Sequence, residues 1–207
     1  MTINPFAKSN NNNAQQSPAR PTAPTPGGLF SGVSAADGSR FPSPEEGSFE
    51  LVVNKTLFHA SKKTPGRVMF IAEFKVLSSS TRAYPEGTVI SMKSTLGGWG
   101  DKYTGARMKK LAMSATGYVD EAQFDADLIA QYGERPKGSP QASDLLLYAM
   151  AGAGAPMSTT ADAEALTEAL RIFGDNPLEG KKLHADITPS IGKDGKRYGE
   201  WSLTPST

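Results

Sequence analysis

The sequence contains no cysteine and only two histidines, His59 and His184, among its 207 residues. The lack of thiols excludes disulfide scaffolds, thiolate catalysis and zinc or iron–sulfur sites held by cysteine. Two histidines are too few for a histidine-rich metal site. We expect each of them to be a packed or surface residue rather than a catalytic base.

Catalytic and nucleotide-binding motifs are missing as well. The sequence has no GxSxG elbow, no GxxxxGK[ST] phosphate-binding loop and no HExxH pair. Four acidic residues lie close together in the segment 120–127, but this segment lacks the glycine and the terminal glutamate of a calcium-binding loop. We interpret it as the solvated acidic face of a helix. We therefore expect a protein that is not an enzyme and that binds no metal and no cofactor.

Long apolar runs are also absent. No stretch approaches the roughly 20 residues that a membrane-spanning helix needs. The first residues, MTINPFAKSNNNN, lack the apolar centre of a signal peptide. The sequence therefore predicts a cytoplasmic protein that does not bind membranes.

The formal net charge of +1 conceals two oppositely charged halves. Residues 48–110 contain 11 Lys and Arg against 4 Asp and Glu, a net charge of +7. Residues 111–177 contain 3 Lys and Arg against 10 Asp and Glu, a net charge of −7. Such asymmetry within one chain indicates a polyanionic partner for the basic half.

The first 47 residues differ in composition from the rest. They hold seven of the 15 prolines and a run of four asparagines. A segment with so few apolar side chains cannot offset the entropy that it loses on ordering. We expect residues 1–47 to be a disordered or arm-like tail.

From residue 48 onward the pattern is that of strands, then helices, then strands. In the first strand, strict alternation puts Lys55 on the same face as Leu51 and Val53. Asp194 and Gly195 indicate a tight turn before the last strand. The predicted strands are 48–60, 67–77, 88–95, 181–189 and 197–204, and the predicted helices are 105–115, 120–132, 143–151 and 161–173.

This order predicts a mainly β protein with an α-helical insertion. A helix between the third and fourth of five strands matches the five-stranded barrel that binds oligonucleotides and oligosaccharides, the OB-fold. Residues 48–113 are expected to form the first part of an OB-like barrel. Residues 114–177 are an acidic helical insertion, and residues 178–207 are the closing β-hairpin.

Aromatic residues interleave with the cations of the basic half, which favours single-stranded nucleic acid as the partner. Such a site needs cations for the phosphates and flat rings on which bases stack. Trp99 either stacks on a base or packs back into the barrel as a plug, whereas Trp201 alternates with Leu203 and is expected in the core. The candidate binding residues are Lys55, Phe58, Lys62, Lys63, Arg67, Tyr84, Lys93, Trp99, Lys102, Tyr103, Arg107, Lys193, Lys196, Arg197 and Tyr198.

The pattern resembles phage-encoded single-stranded DNA-binding proteins with an OB-fold. The resemblance lies in the segment GRVMFIAEFKVLSSS, the helix GARMKKLAMSATG and the ending NPLEGKKLHADITPSIGKDGKRYGEWSLTP. It implies a sequence-independent single-stranded DNA-binding protein of bacteriophage DNA replication or recombination, located in the cytoplasm of the bacterial host. Many proteins of this kind end in an acidic tail that recruits partners, whereas this chain ends WSLTPST.

Two questions about partners stay open at this stage. The acidity lies in the insertion 114–177, which is therefore the expected surface for replication or recombination proteins. The sequence does not set the oligomeric state, and a homo-oligomer is compatible with it. The alternative function is that of a virion or assembly protein, in which residues 1–47 serve as a polar arm.

Overall fold

The computed structural model describes residues 42–60, 68–96, 102–152, 160–192, 195 and 197–206. Six of the predicted binding residues lie outside the described ranges: Lys62, Lys63, Arg67, Trp99, Lys193 and Lys196. Nearly all of the tail 1–47 lies outside them as well. The described part contains five strands and four helices. They are β1 (Gly47–Ala60), β2 (Val68–Ser79), β3 (Val89–Leu96), α1 (Lys102–Thr116), α2 (Glu121–Tyr132), α3 (Ala142–Ala151), α4 (Thr160–Phe173), β4 (Lys182–Ile191) and β5 (Arg197–Pro205).

The five strands form one antiparallel sheet in the order β3-β2-β1-β4-β5. On β2, Phe70, Ala72, Phe74 and Val76 are buried on one face, as the alternation of the sequence predicts. Trp201 of β5 stacks on Phe74 with a ring separation of 5.7 Å, which confirms its predicted place against the core. We call the apolar face of the sheet its inner face and the opposite face its outer face.

A β-bulge in β1 overturns the predicted facing of that strand. The pairing register of β1 and β2 shifts between Val53 and Lys55, and an extra residue in one strand reverses the side to which the following residues point. Lys55 is therefore exposed on the outer face, opposite Glu73, instead of sharing the inner face with Val53. The same shift turns Phe58 inward, where its ring lies 5.5 Å from that of Phe70.

The sheet is open, so the expected closed barrel is not confirmed. Within the described residues β3 and β5 are its two edges, and neither pairs with the other. Closure of a barrel depends on how strands stagger and tilt, which alternation along the sequence does not reveal. Residues 42–46 lie in the gap instead: Pro42 accepts a hydrogen bond from the Ser91 amide of β3, and the residues that follow contact β5.

The helices share one hydrophobic core with the sheet. Helix α1 packs against β3, β4 and β5, and α3 packs against α1 and β1. The hydroxyl of Thr56 in β1 donates to the carbonyl oxygen of Met150 in α3 at 2.8 Å. The acidic segment is thus bonded to the sheet through buried contacts. Among the described residues, no helix is both long enough and apolar enough to cross a membrane.

Local sequence signals explain where several helices begin and end. Gly117 has a φ of +91° and ends α1, as predicted, because glycine accepts this left-handed conformation at no steric cost. The amide of Tyr118 then bonds to the carbonyl of Met113 at 2.8 Å. Asp120 begins α2 by accepting a hydrogen bond from the backbone of Gln123.

Candidate nucleic-acid interface

The outer face of the sheet carries one exposed lysine on each of four neighbouring strands. Val52 of β1 lies opposite both Lys75 of β2 and Lys182 of β4, so these two lysines flank it in one row. Lys55 lies one row further along, and Lys93 of β3 lies in the row after that, opposite Ile71. We call this set the lysine face: Lys55, Lys75, Lys93 and Lys182.

The floor beneath these lysines is closed. Leu57, Ile71 and Ser91 are buried on the same outer face. Glu73 is also buried, and it accepts a hydrogen bond from the Asn54 side chain at 3.5 Å. The lysine side chains are therefore exposed, whereas the side chains between them on the outer face are buried.

The lysine face has one carboxylate at its centre, that of the buried Glu73, which lies opposite Lys55. In the described residues, Lys55, Lys75 and Lys182 form no ion pair. Like charges that are close together and unpaired raise the local positive potential, which attracts polyanions from solution. This arrangement suits a chain of phosphates.

Tyr103 and Arg107 form a second exposed group at the start of α1. Tyr103 is 83% exposed, and Arg107 lies four residues later on the same side of the helix. The hydroxyls of Thr104 and Ser94 are 3.5 Å apart, so this helix start lies beside β3. Lys102 is the first residue of α1. An exposed ring next to an exposed guanidinium provides a stacking surface and a phosphate ligand together.

The hairpin of β4 and β5 adds a third group. Tyr198 is 49% exposed and lies opposite Ser190, while Ile191, at 75% exposed, lies opposite Arg197. Arg197 binds the carboxylates of Glu45 at 3.3 Å and Glu46 at 3.8 Å. A ring, an aliphatic side chain and a guanidinium are therefore accessible near the end of this hairpin.

Two of the predicted stacking residues lie in the core region instead. Phe58 is only 2% exposed and is packed against Phe70. Tyr84 is half-buried, with its ring edge-on to Phe49 at 6.1 Å. A fully buried ring offers no free face to a base, so we leave Phe58 out of the interface; Tyr84 is part of the core region by its contact with Phe49.

Lys109 of the basic helix has a structural role. Its ammonium binds Glu121 at 2.7 Å and Asp125 at 2.8 Å, which ties α1 to α2. Partial burial alone would lower the pKa of Lys109, but the hydrogen bonds to Asp125 and Glu121 outweigh it and raise that pKa above its ordinary value. The ammonium of Lys109 is thus charged, and the carboxylates of Glu121 and Asp125 already balance that charge.

A polar cluster on β1 and β4 brings a histidine, a serine and two carboxylates together. His184 contacts Glu50 through Nδ1 at 2.7 Å, and its Nε2 lies 3.2 Å from Ser48 Oγ. However, Asp186 also approaches Nε2 at 3.2 Å. Partial burial lowers the pKa of His184, but the hydrogen bonds to Glu50 and Asp186 outweigh it and raise that pKa. The imidazole is thus tied to two carboxylates and to the hydroxyl of Ser48.

Asp186 and Asp127 accept hydrogen bonds from neighbouring side chains. The hydrogen bond from Ser48, followed by that from His184, holds the pKa of Asp186 below its usual range. Asp127 accepts a hydrogen bond from Tyr118 at 2.9 Å, which raises the pKa of that phenol. In the part of the chain that the structure describes, no group of three or more His, Asp or Glu side chains is arranged to hold a metal ion.

Sequence reasoning missed Lys75, Lys182 and Ile191. Lys75 was detectable, because it alternates with the apolar residues of its strand and must therefore face outward. Lys182 becomes relevant only through the pairing of β4 with β1, which joins residues 130 positions apart in the sequence. Ile191 carries no local signal beyond its position before a turn.

Comparison with known proteins finds no family model that matches this chain and no significant match among curated proteins.

Proposed function

We propose that this protein binds single-stranded DNA without sequence preference, through an OB-like sheet, in replication or recombination. The observation that supports this most is the lysine face, where four exposed cations from four adjacent strands lie close together on the outer face of the sheet. Backbone phosphates would bind there. Neutralising them releases counterions, which is the main source of affinity for proteins of this kind.

The exposed rings support a single strand over a duplex. Tyr103 beside β3 and Tyr198 on the last hairpin lie at the margins of the sheet, each with a cation nearby. Bases of a single strand can stack on such rings, whereas bases of a duplex are already stacked on one another. The order β3-β2-β1-β4-β5 is also the strand order of an OB barrel that is opened between β3 and β5.

The proposal is tested by titrating the full chain with fluorescent oligo-dT and with a duplex of equal length. We expect tighter binding of oligo-dT, with affinity falling steeply from low to high salt. Equal affinity for the duplex would remove the stacking part of the proposal. No binding of oligo-dT at low salt would overturn it and would favour the virion or assembly function.

A further inference from the structure

Residues 42–46, which we call the strap, bridge the two open edges of the sheet. At β3, the backbone amide of Ser91 donates to the carbonyl oxygen of Pro42 at 2.8 Å. The Ser91 hydroxyl approaches the same oxygen at 3.4 Å. This places the start of the strap on the strand that carries Lys93.

At β5, the strap approaches so closely that only glycine fits beneath it. A Cβ at position 199 would overlap the carbonyl oxygen of Pro44 and also the side chain of Ile187 in β4, 2.6 Å away, and it would lie 3.3 Å from Cα of Glu45. Pro44 itself is buried. Since Gly199 leaves room where any other side chain would not, the strap has a built seat on this strand.

The chemistry of the strap resembles that of the ligand proposed for this surface. Two consecutive carboxylates, those of Glu45 and Glu46, lie on the guanidinium of Arg197, as the oxygens of neighbouring phosphates would. These side chains are half-exposed or more, and ion pairs in such contact with water contribute little and are screened by salt. A polyanion can therefore compete for Arg197.

The strap is also not held as a sixth strand. Pro42 and Pro44 have no backbone N–H, so at both positions the strap can accept a hydrogen bond but cannot donate one. The structure assigns no strand to residues 42–46. The seat is thus specific in shape; among the described contacts, the ion pairs to Arg197 are exposed to solvent, whereas the hydrogen bond to Ser91 lies at a buried residue.

We propose that the strap is an internal competitor of nucleic acid: it occupies Arg197 and the gap between β3 and β5 in the free protein, and single-stranded DNA displaces it. This inference rests on the proposed function and concerns its hairpin group: Arg197 lies on the same side of β5 as Trp201 and therefore away from the lysine face. Displacement has a cost, so the strap lowers the affinity for DNA and raises the selectivity for ligands with many charges.

The position of the strap can be followed directly, because the chain has no cysteine and Ser43 is exposed. A nitroxide attached to Ser43→Cys should broaden the amide NMR signals of residues 197–201 in the free protein. Because Gly47 holds the end of the strap in β1, two strands from Trp201, saturating oligo-dT should weaken this broadening without abolishing it. Broadening of unchanged strength in the complex would overturn the proposal, since the strap would then be a fixed part of the fold.

Binding measurements separate release of the strap from a general change of charge. The double variant Glu45→Gln/Glu46→Gln should bind oligo-dT about two- to fivefold more tightly at low salt, and the gain should shrink at high salt. Two uncharged changes, Gly199→Ala and Pro44→Gly, should also tighten binding, because they unseat the strap. The matched control is Glu86→Gln/Glu134→Gln, two exposed acids elsewhere, which should leave the affinity nearly unchanged.

The outcomes distinguish the two proposals. If the wild-type protein binds oligo-dT while the label stays near β5, only the strap inference fails. If the charge variant alone binds more tightly and both uncharged variants, folded by circular dichroism, do not, the inference also fails and electrostatics explain the gain. If no protein binds oligo-dT, the proposed function fails and this inference fails with it.

Discussion

The two ends of the outer sheet face carry charge in opposite ways. At one end, the exposed ammonium groups of Lys55, Lys75 and Lys182 form no ion pair within the described residues. At the other end, His184 lies between the carboxylates of Glu50 and Asp186. Strands β1 and β4 contribute to both ends, and β2 adds Lys75 to the first, so two of the strands carry both kinds of charge.

The contrast indicates which charges serve structure and which serve a ligand. A charge that is satisfied inside the protein contributes to stability and offers nothing to a partner, as Lys109 does when it ties α1 to α2. Several like charges that are left unsatisfied repel one another and weaken the fold. Such a surface is better explained by an external polyanion than by stability.

The largest effect is expected where a predicted contact residue lies in the core. Phe58→Ala should lower the free energy of unfolding by about 3–5 kcal/mol, because it empties a large buried volume against Phe70. Denaturant unfolding measures this loss. A stable Phe58→Ala protein with weakened DNA binding would return this ring to the interface.

Tyr103→Ala should have the opposite profile. Because the ring is 83% exposed, its removal should leave unfolding nearly unchanged and should weaken oligo-dT binding by about 1–3 kcal/mol, the usual range for one stacked base. Fluorescence titration gives the affinity, and Tyr132→Ala, at 40% exposure on the helical side, serves as the control. If both variants bind alike, Tyr103 lies outside the interface.

The pH dependence of stability tests the His184 cluster. Since the pKa of His184 is raised in the folded state, its stabilising contribution is complete below the unfolded pKa of about 6.5 and is lost as the pH rises through the folded pKa. Wild type should therefore exceed His184→Gln in stability by up to about 1 kcal/mol near pH 5.5, and by less near pH 9. A difference that grows with pH would contradict this sign. Binding of oligo-dT should be the same for both proteins.

The smallest effects are expected from single lysine substitutions. Lys109→Ala should affect stability, whereas Lys75→Ala should affect the salt dependence of binding. Lys109→Ala should cost about 0.5 kcal/mol of stability through its lost ion pairs and should leave the salt dependence of binding unchanged. Lys75→Ala should leave stability unchanged and should reduce the slope of log affinity against log salt by about 0.7. If Lys109→Ala changed the salt dependence of binding and Lys75→Ala changed the stability, ion pairing in the structure would not predict which lysines bind DNA.

The sequence predicts the number, type and order of the described elements because these depend on local periods and turn residues. Gly117 and the alternation of β2 are examples. It does not predict the facing of Lys55 and Phe58, since no residue of the segment marks the bulge after Val53. Nor does it predict the open sheet. The gap is occupied by the strap, whose Pro42 contacts Ser91, and these two residues are 49 positions apart in the sequence.

The candidate site likewise contains residues that the local sequence predicts and residues that it does not. Tyr103, Arg107 and Tyr198 are exposed as their local sequence predicts, and Lys93 faces outward for the same reason. The lysine face as a unit requires the pairing of β1 with both β2 and β4. Long-range pairing of this kind is decided by the whole chain, and no window of sequence contains it.

The central claim, that the exposed lysines of the lysine face bind backbone phosphates, is tested most directly by salt-dependent binding of oligo-dT. The variant replaces Lys55, Lys75, Lys93 and Lys182 by alanine, and the control replaces the helical cations Lys109, Arg135, Lys137 and Arg171, which removes the same charge. We predict that the slope of log affinity against log salt falls by about 3 in the first protein and stays near the wild-type value in the second. Equal slopes in the two folded proteins would contradict the account.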